Sequence, residues 1–251
     1  MLTSYPNFPS CYFIEQEQGS KEWLRCRNGV ITASRMSAIL GINRFTSPEE
    51  CAVGILFGDN IEPTIQMLRG THGETLIRSA IEKQTGLKIT TVGLGIWKEN
   101  PLFCASADGI FEELIDDESN EVVEGNESNG VVTGIIEIKV FSSTYNPEKM
   151  SSGMYDFIKN ESSSPNHIYI SPDHYNQMQF TAGVLGAKKI KYCTFFMPTT
   201  SNMFYNSLLI TDIPVDPSIF LNCHIPKALE FYDKLVRPNL TYIPPVIELL
   251  K

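Results

Sequence analysis

One stretch constrains the chain more than any other: residues 131–141, Val-Val-Thr-Gly-Ile-Ile-Glu-Ile-Lys-Val-Phe. Its β-branched and aromatic content reads as a strand. Successive side chains of a strand leave opposite faces, so Ile136, Ile138 and Val140 point one way and Glu137 and Lys139 the other. A carboxylate beside an ammonium is costly to bury without partners. Taken alone, the pair fits an ion pair on an exposed sheet face.

Asp108 shifts that balance. It interrupts an apolar strand, Phe103-Cys104-Ala105-Ser106-Ala107-Asp108-Gly109-Ile110, although Asp-Gly is also a turn signal. If this strand pairs with residues 131–141 as a hairpin, Asp108 comes near Glu137. Two close carboxylates repel unless a divalent cation bridges them. Magnesium, a hard ion that prefers oxygen ligands, suits them. A third acid, Glu74, falls on the stripe Met67, Gly70, Glu74, Ile77, Ile81 of a helix, the stripe expected to face the core. With Asp108 and Glu137 it completes a candidate metal-ligand set. Carboxylate-held magnesium, one ion or two, suits phosphodiester hydrolysis, because it activates water and neutralises developing charge. Lys139 would orient or deprotonate the attacking water, or stabilise the transition state.

The rest of the chain supplies a frame for this cluster. Its 251 residues suit one domain, 1–251, with a helical N-terminal part (1–86) and a catalytic sheet with flanking helices (87–251). Helices are expected from the Ser20 cap to Gly29, from Thr32 to Gly41, from Pro48 to Gly58 and from Thr64 to Thr85, each closed by a glycine. Strands are expected at Lys88–Trp97, Phe103–Leu114 and Val131–Phe141. A helix at Asp173–Leu185 precedes a hairpin of Ile190–Met197 with Met203–Ile210, then a helix at about Pro217–Val236. Residues 112–130, acidic and rich in Asn, Ser and Gly, read as a solvated loop. The fold class is therefore α/β, a central mixed sheet flanked by helices.

The net charge of −9 argues mildly against a nucleic-acid binder, but metal ions supply positive charge where carboxylates cluster. The six cysteines lack metal-clip spacing and read as reduced, mostly buried thiols. No apolar run reaches the roughly 20 residues of a membrane span, and the N-terminus has no secretory pattern. An intracellular protein is expected, cytoplasmic or nuclear, with no membrane partner.

Ordered blocks carry a resemblance. Trp23-Leu24-Arg25-Cys26-Arg27-Asn28-Gly29-Val30-Ile31-Thr32-Ala33-Ser34, Gly73-Glu74, Ala105-Ser106-Ala107-Asp108-Gly109, Glu137-x-Lys139 and Tyr175-Asn176-Gln177-Met178-Gln179 resemble the phage lambda exonuclease and YqaJ-type viral recombinase family. That family belongs to the PD-(D/E)xK nucleases. The resemblance implies a restriction-endonuclease-like core and metal held by Glu74, Asp108, Glu137 and the backbone carbonyl of Ile138. It also implies Lys139 as catalytic lysine, with Glu137 and Asp108 catalytic beside it, and Gln177 near the metal site. Arg27, joined by Ser34 and Ser106, would bind the 5′-phosphate of DNA; no second arginine is evident for that pocket. Taken by itself, Arg27 reads as a cation at a helix end. The implied activity is a magnesium-dependent 5′-to-3′ exonuclease on duplex DNA ends, with manganese as a substitute. Its 3′ single strands would pass to a strand-annealing protein. An endonuclease on DNA or RNA, a non-catalytic binding protein and a homo-oligomer stay open. Ala107 stands where the family pattern has proline.

Overall fold

The computed structural model describes residues 2–58, 65–114, 130–141, 155–159, 166–196 and 208–251. Strands β1 (Leu2–Thr3), β2 (Cys11–Ile14), β3 (Ile31–Thr32), β4 (Ile89–Thr90), β5 (Leu94–Trp97), β6 (Phe103–Ala105), β7 (Gly109–Leu114), β8 (Val131–Phe141), β9 (Tyr155–Lys159), β10 (Asn166–Ile170), β11 (Lys189–Phe196) and β12 (Leu208–Ile213) build three sheets. One is ordered β1-β2-β5-β6-β3 and a second β12-β11-β8-β7-β4, while β9 and β10 form a hairpin. Both five-stranded sheets are mixed. β3 runs parallel to β6, and β11 parallel to β8, among otherwise antiparallel pairs.

The mixed α/β architecture is thus present, with its strands shared between two large sheets rather than one. Two expected strands are broken where the chain crosses between them. Phe103–Leu114 splits into β6 and β7 around Ser106-Ala107-Asp108, and Lys88–Trp97 splits into β4 and β5. The N-terminal part is not purely helical: β2 pairs with β1 and β5, and β3 pairs with β6. Residues 115–129 of the acidic stretch, residue 64 at the expected start of the fourth helix and residues 203–207 of the expected hairpin lie outside the described residues. Leu208–Ile213 does pair antiparallel with β11.

The main helices are α1 (Lys21–Cys26), α2 (Met36–Ile39), α3 (Pro48–Phe57), α4 (Ile65–Thr85) and α5 (Pro172–Leu185), and side-chain caps start α1, α3 and α5. The Ser20 hydroxyl accepts from the Trp23 amide, Ser47 and Glu50 form a capping box, and Ser171 accepts from the His174 amide. The expected Thr32–Gly41 helix is a 3₁₀ turn, Ala33–Arg35, running into α2. The expected last helix is a path of α6 (Pro217–Ile219), a π turn (Phe220–His224), α7 (Ile225–Phe231) and a second π turn (Tyr232–Val236). A short α8 (Pro245–Leu249) follows.

α5 sits between the two large sheets. Its Met178, Phe180, Ala182 and Leu185 join one core with Phe13, Phe103 and Ala105 of one sheet and Ile135, Ile190 and Ile213 of the other. On the opposite face of β8, Ile136 and Ile138 pack with Ile77 and Ile81 of α4. The strand alternation is therefore used in full: one face of β8 meets α4, and the other presents Glu137 and Lys139 toward α5. Five of the six cysteines are buried. Among the described residues no helix is long and apolar enough to cross a membrane.

Candidate active site

The antiparallel β7–β8 register places Gly109 opposite Ile136. Asp108 therefore lies beside the middle of β8, where its Oδ2 accepts the Ile138 amide at 2.7 Å. Its own amide donates to the Ile136 carbonyl at 3.2 Å. Glu137, only 1 % exposed, faces α5, where Gln177 Nε2 donates to its Oε1 at 2.7 Å. Lys139 Nζ stands 2.5 Å from the same oxygen and donates to Gln177 Oε1 at 3.3 Å. The ion pair is thus buried against α5, and a carboxamide that can both donate and accept spans it.

Glu74 approaches from α4. Arg78, one turn later, donates to Glu74 Oε2 at 3.3 Å and to the Asp108 carbonyl at 3.1 Å, linking the third acid to the other two. Arg78 was missed in the sequence; its only signal was the four-residue helical spacing from Glu74. Ile77 and Ile81 of the expected stripe are buried, while the side chains of Met67 and Gly70 lie outside the described residues.

Burial sets the electrostatics of the three acids. Burial lifts Glu137 to about 7, against the pull of Lys139 and with repulsion from Asp108 and Glu74. Burial also raises Asp108 and Glu74. Burial would lower Lys139, but Glu137, Asp108 and Glu74 outweigh it, and the ammonium is held above its ordinary range. Glu137 Oε2 is buried with no hydrogen-bond partner among the described residues. Also among the described residues, no three acidic, His or Cys side chains converge as a ready-made cation cage. Lys139, Arg78 and the Ile138 amide hold the acids instead. The donor types nevertheless suit a hard divalent ion: three carboxylates, one of which keeps a buried oxygen with no partner among the described residues.

The second constellation lies next door. The Arg27 guanidinium stacks on the Trp23 indole, 4.4 Å from the ring centroid. Its Nη2 donates to Ser34 Oγ at 2.7 Å and to Thr32 Oγ1 at 3.3 Å. Trp23 Nε1 donates to Ser106 Oγ at 3.3 Å. Arg27, Ser34, Ser106, Asp108 and Gln177 all line one cavity of about 140 Å³, with Trp23 and Thr32 in its wall. Trp23 and Thr32 were read as parts of a motif and a cap rather than as site residues. Among the described residues that line this cavity, Arg27 is the one cation.

Residues 22–187 match the model of the YqaJ-like viral recombinase domain. The chain belongs to that family. The alkaline exonuclease LHK-Exo of Laribacter hongkongensis superposes with a TM-score of 0.59 at 23 % identity, over 86 % of this chain and 92 % of that one. It has also been solved in complex with dAMP. A phage-related exonuclease from Haemophilus somnus 129PT superposes with a TM-score of 0.52 at 14 % identity, over 82 % and 94 % of the two chains. No curated protein sequence matches the chain. The fold is therefore the PD-(D/E)xK fold of these alkaline exonucleases.

Proposed function

We propose that this YqaJ family member is a magnesium-dependent deoxyribonuclease, a 5′-to-3′ exonuclease that acts on duplex DNA ends and leaves 3′ single strands for an annealing recombinase. One observation carries the reading: a single cavity joins the cation of Arg27 and the hydroxyls of Ser34 and Ser106 to Asp108 and Gln177. An anion pocket beside a carboxylate cluster suits a DNA end, with a terminal phosphate in the first and the scissile phosphodiester at the second. The dAMP complex of the Laribacter protein supports a deoxynucleotide as substrate.

Glu74, Asp108, Glu137 and the Ile138 carbonyl would hold the metal. The chemistry magnesium supplies when bound is a water made acidic near neutral pH and a positive charge beside the phosphodiester oxygens. The chain's own groups do the rest. Lys139, kept protonated by its carboxylate neighbours, donates hydrogen bonds to the attacking water or to a phosphoryl oxygen as charge develops there. Gln177 fixes the angle between Lys139 and Glu137 through its two contacts. Arg27 and Ser34, already joined by a 2.7 Å hydrogen bond, hold the terminal phosphate and set where the strand is cut.

The deciding experiment incubates wild type and Lys139→Ala with magnesium on a 5′-phosphorylated linear duplex and on a covalently closed circle. Digestion of the linear DNA alone, reduced by about 10²-fold or more in the variant, is the expected result. Cutting of the circle by wild type would keep the active site and overturn the end-dependent reading. Failure to cut either DNA, or any RNA, would overturn catalysis.

A further inference from the structure

Ser34 has two sides. One faces the cavity that holds Asp108; the other borders a larger cavity of about 500 Å³, walled by Phe45, Val53, Asn43, Thr46 and Glu50. Phe45 is 90 % exposed, the most exposed large hydrophobic of the described residues. It is not there by default of order. Asn43 Oδ1 accepts the amides of Phe45 and Thr46 at 2.8 and 3.0 Å, and Asn43 Nδ2 donates to Ser37 Oγ at 2.9 Å. This turn pins the loop to α2 and holds the ring in solvent at the cavity edge. An aromatic side chain kept exposed by its own hydrogen-bonded turn gives up burial that the core would reward.

The lining says what the cavity takes. Among the described residues that line it, the one cation is Arg35, which is buried and donates to the carbonyls of Cys51 and Gly54. Glu50 adds a carboxylate that its Ser47 contacts hold below the usual range. One cation and one anion offset each other in this lining, and a flat, neutral ring bearing polar edges would meet an aromatic face, the Val53 side chain and hydroxyl and amide groups. The phosphate position, at Arg27 and Ser34, lies across the shared wall. We infer that this cavity is a nucleobase site: Phe45 stacks on the base of the nucleotide whose 5′-phosphate is held by Arg27 and Ser34. Stacking of a base on an aromatic side chain tolerates any sequence, which suits an enzyme that processes DNA ends. This inference rests on the proposed DNA-end activity and adds the residue that would seat the terminal base.

The test measures binding of full-length protein to two 5′-phosphorylated duplexes, with calcium in place of magnesium to prevent cleavage. One duplex is intact; the other has an abasic 5′-terminal nucleotide. Proteins are wild type, Phe45→Ala and Phe45→Trp, with magnesium-dependent digestion of linear DNA by wild type run in parallel. Expected are about tenfold weaker binding of the intact duplex by Phe45→Ala, little difference between these two proteins on the abasic duplex, and retention by Phe45→Trp. Equal losses on both duplexes, or no loss on either, would overturn the base site while wild-type binding and digestion leave the nuclease reading standing. Absence of any DNA binding or digestion by wild type would sink both readings together.

Discussion

At the scale of single residues, the site turns on a carboxamide. Gln177 donates to Glu137 Oε1 and accepts from Lys139 Nζ, so it braces two opposite charges that stand 2.5 Å apart. Gln177→Leu keeps the bulk and removes both contacts. The Glu137 carboxylate then loses one of its few donors in a buried setting, a change worth about 1–3 kcal/mol. The expected outcome is a single-turnover cleavage rate lower by about 10- to 100-fold, with unchanged affinity for 5′-phosphorylated DNA measured in calcium. Equal losses of rate and affinity would show that Gln177 serves the DNA rather than the ion pair. Of this arrangement, Glu137 and Lys139 were legible in the sequence because strand alternation is local. Asp108 was legible once a hairpin was assumed. Arg78 and Trp23 were not, because their roles depend on a carbonyl at Asp108 and a hydroxyl at Ser106, far away in the chain.

At the scale of elements, β8 explains why the site is rigid. It is the central strand of its sheet, with β11 on one side and β7 on the other. Gly134 opposes Phe111 in the β7 register, and a Cβ at Gly134 would stand 2.2 Å from the Phe111 ring. The small residue lets the ring lie across the strand three positions before Glu137. Gly134→Ala should therefore overpack this point and cost about 1–3 kcal/mol, lowering the thermal midpoint by about 2–4 °C for each kcal/mol. An unchanged midpoint would show that Phe111 can swing aside freely. The strand itself was readable from its β-branched run. The break between β6 and β7 was not, since apolar residues on both sides of Ser106 and Asp108 let Phe103–Ile110 read as one strand. Only non-local pairing, β6 with β3 and β5 but β7 with β8 and β4, forces the chain to change sheets there. Asp108 owes its position to that crossing. The pairing of β2 with β5 escaped for the same reason: short strands gain their identity from partners that are distant in sequence.

At the scale of the whole molecule, the C-terminal helical path ties the two constellations together. Tyr232 donates to the Gly29 carbonyl at 2.8 Å, just beyond the Arg27 turn. His224 meets Asn176 on α5, adjacent to Gln177, at 2.8 Å. Asn176 Oδ1 can only accept, so His224 Nε2 carries the proton and donates it. His224 Nδ1 is buried with no partner among the described residues, and the ring packs 5.8 Å from Phe180. Protonation would place an unpaired N–H and a charge among apolar groups, and burial accordingly holds His224 down to about 4. The unfolded chain takes up that proton near pH 6.5. Because the folded value is the lower one, the stability is intact above pH 6.5 and is lost as pH falls from there toward 4, by up to about 3 kcal/mol. Thermal midpoints of wild type between pH 7 and 4.5 should therefore fall more steeply than those of His224→Gln, whose amide keeps a donor for Asn176 but takes up no proton. Parallel curves for the two proteins would mean that His224 is already solvated. A steeper wild-type curve would identify the contact between α5 and the C-terminal path as the joint that yields first in acid, and with it the element that carries Gln177.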